Sequence, residues 1–212
     1  MNAKVLGLLA VGLVAGPTLA NAATVFTDNF SGVSSSLNTA PAGWQVVSGT
    51  GTVDTIANGG FGIICLGATG GCVDLDGSTS NAGYLRTTAT FGFSSGGDYS
   101  LTAYLSGNQR GGSSDSLNFG ISDGSSNLCS TAVSGVAPSA PFAQYTCFFT
   151  AASSFSGFIF FDHAGGDNIG MILDDVRLES RGSGTSVPEP GSLVLLGLGL
   201  AGLGLSRRRR SA

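Results

Sequence analysis

Acidic and amide side chains beside turn-forming glycines are the residues of this 212-residue chain best suited to ligand binding. One run, Asp74-Leu75-Asp76, precedes Gly77, and a second polar run precedes Gly111 and Gly112. Carboxylate, amide and guanidinium groups supply the donors and acceptors that sugar hydroxyls require. Both runs are also typical of plain turns. The pattern predicts a ligand-binding set of Asp74, Asp76, Asn108, Gln109 and Arg110.

A second acidic group lies near the two ends of the predicted domain. In a strand over residues 171–178, Asp174 would share a face with Ile172 and Val176. A buried carboxylate without a partner is costly, and oxygen ligands suit Ca²⁺. The expected metal site is a structural calcium held by Asp28, Asp174 and Asp175. Two alternatives stay open: a bulge turns Asp174 outward, or its carboxylate caps a neighbouring turn.

The domain offers few residues for catalysis. It has one histidine, His163, and one glutamate, Glu179. No serine or cysteine stands in a recognisable nucleophile setting. An aspartate pair can serve a glycosidase, but the short predicted loops leave little room for a deep cleft. We therefore expect a protein that is not an enzyme.

Four cysteines indicate an oxidising compartment. Three pairings are possible. Cys65 with Cys72 and Cys129 with Cys147 are favoured, because each pair closes a short loop at a low entropic cost. A metal site is the rival interpretation, but the chain contains no CxxC motif and its one histidine is remote in sequence.

Composition then limits the class of protein that carries these residues. Glycine contributes 35 residues and charged residues only 10%, which argues against helical bundles and coiled coils. Residues 23–181 contain four arginines and twelve acidic residues, a net charge of −8. This acidic domain repels phosphate groups, so nucleic-acid binding is excluded.

The elements that position the candidate residues are predicted to be short strands. Residues 99–105 and 117–121 alternate between apolar and polar side chains, and further strands are predicted at 44–47, 51–56, 60–65, 84–93, 145–150, 156–162 and 170–179. No window has a helical period. Residues 23–181 are therefore expected to form an all-β domain, a two-sheet antiparallel β-sandwich or jelly roll.

Both ends of the chain are predicted to be targeting segments. Residues 1–22 are typical of a signal peptide, with Lys4, an apolar run and a small-residue cleavage site. Residues 182–186 form a flexible linker. Residues 187–212 contain an apolar run over 193–205 that would make a short transmembrane helix, followed by an arginine cluster that keeps this end in the cytoplasm.

The C-terminal segment resembles the PEP-CTERM sorting signal. The resemblance rests on Pro-Glu-Pro, a short apolar helix and an arginine cluster, in that order, at Pro188, Glu189, Pro190, Arg207, Arg208, Arg209 and Arg210. It implies cleavage by an exosortase-type enzyme, an integral-membrane cysteine protease, after transient anchoring in the inner membrane. It also implies a Gram-negative bacterium that makes exopolysaccharide, and a location at the cell surface or in the extracellular matrix.

The domain itself resembles galactose-binding-like jelly rolls of carbohydrate-binding modules. The resemblance rests on residues 27–30, 73–77, 105–110, 166–170 and 173–176. It implies a calcium ion between the terminal strands, at Asp28 and Asp174 or Asp175, and sugars stacked on exposed aromatic side chains. Trp44, the one tryptophan, is expected in the core.

Three functions follow as expectations. The first is an exported β-sandwich that associates with exopolysaccharide in the biofilm. The second is a structural or adhesive biofilm protein without sugar specificity, and the third is a small glycan hydrolase. Membrane contact is expected only through the C-terminal helix before processing.

Overall fold

The computed structural model describes residues 22–181, which fold into two six-stranded sheets. The first sheet contains β1 (Ala23–Asp28), β3 (Asp54–Ala57), β4 (Gly71–Asp74), β7 (Asp98–Ser106), β10 (Ala143–Thr150) and β12 (Ile172–Ser180). The second sheet contains β2 (Trp44–Val46), β5 (Tyr84–Thr87), β6 (Phe91–Phe93), β8 (Asp115–Ser122), β9 (Asn127–Val136) and β11 (Phe155–His163). Two 3₁₀ turns, Gly60–Gly62 and Leu66–Ala68, are the helical elements of this part of the chain.

The strands of both sheets pair antiparallel, which confirms the predicted β-sandwich. The first sheet has the order β10-β7-β12-β4-β3, and β1 pairs with the second half of β12. The second sheet has the order β2-β5-β11-β8-β9, and β6 pairs with the start of β11. The first and last strands are thus neighbours, as expected for a sandwich of this kind.

The core lies between the sheets and is built by alternating side chains. Leu101, Ala103 and Leu105 of β7 are buried, as are the alternating apolar residues of β8. Trp44 is 5% exposed and packs against Phe161 with ring centroids 5.9 Å apart. The prediction that Trp44 belongs to the core is confirmed.

The strand predicted at residues 60–65 is wrong. Gly59, Phe61 and Gly62 have φ values of 83°, 51° and 79°, and left-handed backbone cannot continue a strand. The segment instead forms a 3₁₀ turn and a loop that lies over the outer side of the first sheet. Ile63 from this loop packs with Ile56 and Ile172 in a small apolar cluster separate from the main core.

A bulge in β12 changes which residues share a face. The pairing of β12 with β7 shifts between Asp174 and Arg177, and Asp175 has a φ of 44°. Leu173 and Val176 both enter the main core, whereas Ile172 joins the outer cluster. The expectation that Asp174 shares the face of Val176 is wrong, because the extra residue of a bulge breaks the period of two.

Both predicted disulfides are present. Cys65 is bonded to Cys72 beneath the 3₁₀ loop, and Cys129 of β9 is bonded to Cys147 of β10. Because β9 is an edge of the second sheet and β10 an edge of the first, the second disulfide fastens the two sheets together along one side.

The remaining sequence predictions concern residues outside 22–181. The signal peptide, the linker 182–186 and the sorting segment 187–212 lie there, and so does the predicted transmembrane helix. Within 22–181, no helix is long and apolar enough to cross a membrane.

Candidate functional site

Four of the five predicted ligand-binding residues meet at one end of the sandwich. At this end β4 and β7 finish, β8 begins and β11 finishes. Two residues that the prediction did not include, Asp115 and His163, complete the group. We refer to it as the polar end cluster, and its members are Asp74, Asp76, Asn108, Arg110, Asp115 and His163.

Asp74 is the most heavily engaged carboxylate of the polar end cluster. It is fully buried, and its Oδ1 accepts hydrogen bonds from the backbone N–H groups of Asp76 (3.0 Å) and Gly170 (2.9 Å). Its Oδ2 forms an ion pair with Arg110. Burial raises the pKa of Asp74 to about 7, although Arg110 and the two N–H donors act in the opposite direction. The exposed Arg110 thus forms an ion pair with a fully buried carboxylate.

Within residues 22–181, Asp76 and His163 each leave one buried polar atom without a hydrogen-bond partner. Asp76 Oδ2 accepts from the N–H groups of Gly166 and Asp167, whereas its Oδ1 has no partner among the described residues. His163 Nε2 accepts from the Met171 N–H, so a neutral ring carries its proton on Nδ1, which likewise has no partner in the described part of the chain. Burial lowers the pKa of His163, which favours this neutral form.

Asn108 organises the loop that covers the polar end cluster. Its Nδ2 donates to Asp115 Oδ2 (3.0 Å), and its Oδ1 accepts from the N–H groups of Arg110 and Gly111. Gln109 points away from the cluster instead. Its amide donates to the Ile64 carbonyl and accepts from the Ile64 N–H, both at 2.9 Å. Of the five predicted residues, Asp74, Asp76 and Asn108 are therefore buried, Gln109 is half-buried, and Arg110 is exposed.

The three predicted calcium ligands lie near the β12 bulge. The Oδ atoms of Asp28 accept from the Phe30 N–H (2.9 Å) and from Trp44 Nε1 (2.8 Å). Those of Asp174 accept from the N–H groups of Leu66 (3.0 Å) and Asp175 (2.8 Å). Burial raises the pKa of Asp174 to about 6, opposed by these donors and reinforced by the Asp175 and Asp28 carboxylates.

This donor set does not fit a calcium ion well. All four oxygens of Asp28 and Asp174 already accept hydrogen bonds from N–H groups. Residues 22–181 contain no group of three or more His, Cys, Asp or Glu side chains arranged to hold a metal. The buried Asp174 is satisfied by backbone donors, so no metal is needed to explain it. The geometry gives the calcium prediction no support.

An open groove of about 430 Å³ crosses the outer face of the first sheet. We name it the first-sheet groove. Its side chains come from four strands, because residues that alternate with the core residues of β1, β7, β10 and β12 point outward here. It is lined by the outward side chains of Thr27, Thr102, Tyr104, Gln144, Asp175, Arg177 and Glu179, and by Val176, whose side chain belongs to the main core.

The polar groups of the first-sheet groove are partly fixed in place. The Tyr104 hydroxyl donates to Gln144 Oε1 (3.0 Å), and Arg177 Nε lies 2.7 Å from Glu179 Oε1. Asp175, at the bulge, has a carboxylate that makes no hydrogen bond within residues 22–181. The groove thus offers an aromatic ring, an amide, hydroxyls and charged groups on a rigid sheet. The groove is not evident from the sequence, although Thr102 and Tyr104 alternate with apolar residues.

Solved structures with the same architecture are only distantly similar in sequence. A cyclase from Fischerella sp. TAU superposes with a TM-score of 0.58 at 14% identity, covering 78% of this chain and all of that one. The CBM22-1 and GH10 modules of Clostridium thermocellum endo-1,4-β-D-xylanase 10B, complexed with xylohexaose, give 0.50 at 12% identity, covering 78% of this chain and 30% of that one.

An arabinose-bound GH51 α-L-arabinofuranosidase gives a TM-score of 0.50 at 15% identity, covering 72% of this chain and 25% of that one. This chain therefore spans less than a third of either glycoside-hydrolase chain. At these identities the likeness establishes the fold alone. No curated protein matches the sequence.

The C-terminus gives a more specific match, outside the part of the chain that the structure describes. Residues 186–210 match the PEP-CTERM protein-sorting motif, and they include the Pro-Glu-Pro and arginine residues identified in the sequence. The motif implies export, transient anchoring in a membrane and processing by exosortase-type machinery. The chain is therefore an exported protein in which a β-sandwich precedes a PEP-CTERM sorting signal.

Proposed function

We propose that the β-sandwich associates with exopolysaccharide through the first-sheet groove, outside a Gram-negative cell, at its surface or in its biofilm matrix. The observation that carries this proposal is the set of outward polar groups around Tyr104. The tyrosine ring offers an apolar surface and a hydroxyl, while Gln144 and Thr102 add amide and hydroxyl groups. An extended polymer fits an open groove better than it fits an enclosed cavity.

Charge supports a neutral polymer. The domain carries a net charge of −8 over residues 23–181, and within the groove Glu179 already neutralises Arg177. The unpaired Asp175 leaves the groove slightly acidic. A polymer of uronic acids would therefore be repelled, whereas a neutral glycan would not be.

The predicted role of the polar end cluster changes accordingly. Asp74, Asp76 and Asn108 are buried, and a bound sugar would have to compete with their internal hydrogen bonds. We assign these residues to holding the loops at one end of the sandwich. Arg110, which reaches the surface, is the one member that can also contact a polymer.

We further propose a non-catalytic role. The groove holds two acids, Asp175 and Glu179, on the same strand β12. A glycosidase needs two carboxyl groups that are both available for proton transfer or nucleophilic attack. Here Glu179 is held by Arg177 in an ion pair. These observations favour binding over the third expectation, a small glycan hydrolase.

Co-sedimentation tests the binding proposal. The protein is purified as the producing bacterium processes it, and is mixed with that bacterium's cell-free exopolysaccharide or with alginate as a polyanion. We expect binding to the exopolysaccharide alone, and about tenfold weaker binding, close to 1.4 kcal/mol, for Tyr104→Ala and Gln144→Ala. Phe61→Ala, an exposed aromatic outside the groove, serves as the matched control.

The outcomes separate the proposed role from its rival. If the wild-type protein does not sediment with its own exopolysaccharide, the sugar-binding proposal fails. The structural or adhesive role without sugar specificity then accounts better for the exported sandwich. If binding persists unchanged in both groove variants but is lost in Arg110→Ala, the binding surface is at the polar end cluster instead.

A further inference from the structure

We infer that the opposite face of the sandwich carries a second glycan site, so that one molecule cross-links two polysaccharide chains. The inference rests on the proposed function of the first-sheet groove. The residues concerned lie on the outer side of the second sheet and do not belong to the main core. Leu85 of β5 and Ile159 and Phe161 of β11 point into the core. The residues between and beside them therefore point outward. They are Tyr84, Arg86, Phe158 and Phe160, with the exposed Asp162 paired opposite Tyr84.

These outward residues form an ordered aromatic layer. The rings of Tyr84 and Phe160 stack with centroids 5.5 Å apart and planes 8° apart. The Arg86 guanidinium lies 4.7 Å above the centre of the Phe158 ring. Phe160 and Phe158 are only 1% and 8% exposed, so Tyr84 and Arg86 are the outermost groups. Each is fixed from below by a ring, which limits the side-chain entropy that ligand binding would cost.

A groove of about 320 Å³ runs beside this layer. We name it the second-sheet groove. Its walls add hydroxyl and amide groups, and within residues 22–181 the side chains of Ser125 and Asn127 make no hydrogen bond to protein. They are free to bind a ligand. The groove is lined by Val47, Thr50, Tyr84, Arg86, Ser122, Gly124, Ser125, Asn127 and Phe158.

The two grooves share one kind of chemistry. Each combines a half-buried tyrosine, an arginine, and hydroxyl and amide side chains on the outer face of a sheet. Packed sheets lie about 10 Å apart, and the whole core separates the two grooves. A single polymer segment cannot occupy both at once without wrapping around an edge. Two separate chains can, and the protein then joins them.

The occupant we assign to the second-sheet groove is another segment of the same neutral polysaccharide. Arg86 stacks on Phe158 and forms no salt bridge among the described residues, but the net charge of −8 still disfavours a polyanion. An aromatic layer with hydroxyl and amide groups at its rim presents an apolar floor and polar walls, the combination that ligand sites in proteins use.

Cross-linking distinguishes two sites from one. The naturally processed protein is added to dilute exopolysaccharide of the producing bacterium, and particle size and viscosity are followed together with co-sedimentation. We expect wild-type protein and the Phe61→Ala control to increase both size and viscosity. Tyr84→Ala and Tyr104→Ala should each still sediment with the polymer, with binding weakened no more than about tenfold, yet neither should cross-link it. The double variant should not bind.

Other results identify which idea fails. If wild-type protein does not bind the polymer, the proposed function fails, and this inference fails with it. If Tyr104→Ala alone removes all binding, the first-sheet groove is the single site and only the cross-linking inference is wrong. A dimeric mass for the free protein that is lost in Tyr84→Ala would make this face a contact between copies. Asn127→Ala provides a second test should Tyr84→Ala lower the melting temperature.

Discussion

At the scale of single residues, several carboxylates are buried, and backbone N–H groups supply their hydrogen bonds. Asp74, Asp76 and Asp174 each accept two backbone N–H hydrogen bonds. Such bonds compensate for part of the lost hydration, but the pKa of Asp74 is still raised to about 7 and that of Asp174 to about 6. Burial therefore dominates at both sites.

The raised pKa of Asp74 predicts a pH-dependent stability. The folded protein holds a proton that the unfolded chain releases near pH 3.8, so the free energy of unfolding falls between about pH 3.8 and pH 7 and is level above pH 7. From pH 5 to pH 8 the loss is on the order of 3 kcal/mol, because about two pH units of this range lie below pH 7 and each is worth about 1.4 kcal/mol. In Asp74→Asn we expect an unchanged melting temperature at pH 5 and one roughly 5–10 °C above wild type at pH 8.

Thermal unfolding from pH 5 to pH 8, followed by circular dichroism, measures this difference. Asp123→Asn is the matched control, because hydrogen bonds from Ser125 and Ser126 lower the pKa of that exposed carboxyl and its titration lies below the window. His163 works in the opposite direction, since its lowered pKa removes stability as pH falls. Asp174, with a pKa of about 6, contributes a slope of its own only below about pH 6. A fall in melting temperature between pH 6 and pH 8 that is as large in Asp74→Asn as in wild type would contradict the assignment.

Calcium is a separate prediction at the residue scale. Because the oxygens of Asp28 and Asp174 are already hydrogen-bonded, we expect millimolar calcium or a chelator to change the melting temperature by less than about 1 °C. A ligand that binds only the folded state raises that temperature according to its affinity. A clear rise with calcium, abolished in Asp174→Asn and retained in Asp98→Asn, would instead establish the site that the resemblance implies.

At the scale of elements, the sequence predicts regular strands well and irregular ones poorly. Strands β7 and β8 alternate between core and surface without interruption for most of their length, and both were predicted. The sequence does not predict strand β9, because Val136 lies three residues after Val133 and breaks the period of two that Cys129 and Val133 share. The register shift between β8 and β9 at Val133–Val136 accounts for this break.

The candidate sites, like the strands, can be predicted from the sequence only in part. Asp74 and Arg110 could be selected from residue type, but the burial of Asp74 and the proximity of both to Asp115 and His163 depend on where four strand ends meet. The first-sheet groove combines β7 with β10 and β12, strands that lie far apart in sequence. No local pattern reports which strands become neighbours, so the grooves become evident only from the topology.

The disulfide between β9 and β10 is the element-scale feature with the clearest energetic consequence. It joins residues 18 apart in sequence, and a loop of that length contributes about 3 kcal/mol in the chain-entropy model. We expect the double variant Cys129→Ser/Cys147→Ser to lose about that much free energy of unfolding in urea. The variant Cys65→Ser/Cys72→Ser should lose about 2.5 kcal/mol, because its loop spans only seven residues.

Limited proteolysis distinguishes the two disulfides further. Without Cys65–Cys72, we expect cleavage within the exposed 58–70 loop while the sandwich stays intact. Without Cys129–Cys147, the edges of the two sheets should separate and the whole domain should become susceptible. Equal, local effects from both variants would mean that the β9–β10 bond does not hold the sheets together.

At the scale of the whole molecule, the sandwich has two outer sheet faces, each with a groove, and one end that holds the polar end cluster. The fold alone does not specify a ligand, since a cyclase and carbohydrate-active enzymes share it. The assignment to polysaccharide therefore depends on Tyr104, Tyr84 and the polar groups around them.

The position of β12 has a mechanical consequence. This strand leads directly to the C-terminal segment, and it is flanked along its length by β7 on one side and by β4 and then β1 on the other. The final described residue, Arg181, is still fixed through its N–H to the Asp98 carbonyl (2.8 Å). A pull on the C-terminus would load these hydrogen bonds in shear, many at once, rather than peel them one by one. A molecule that is tethered at its C-terminus and binds polymer on its outer faces would therefore resist unfolding under tension.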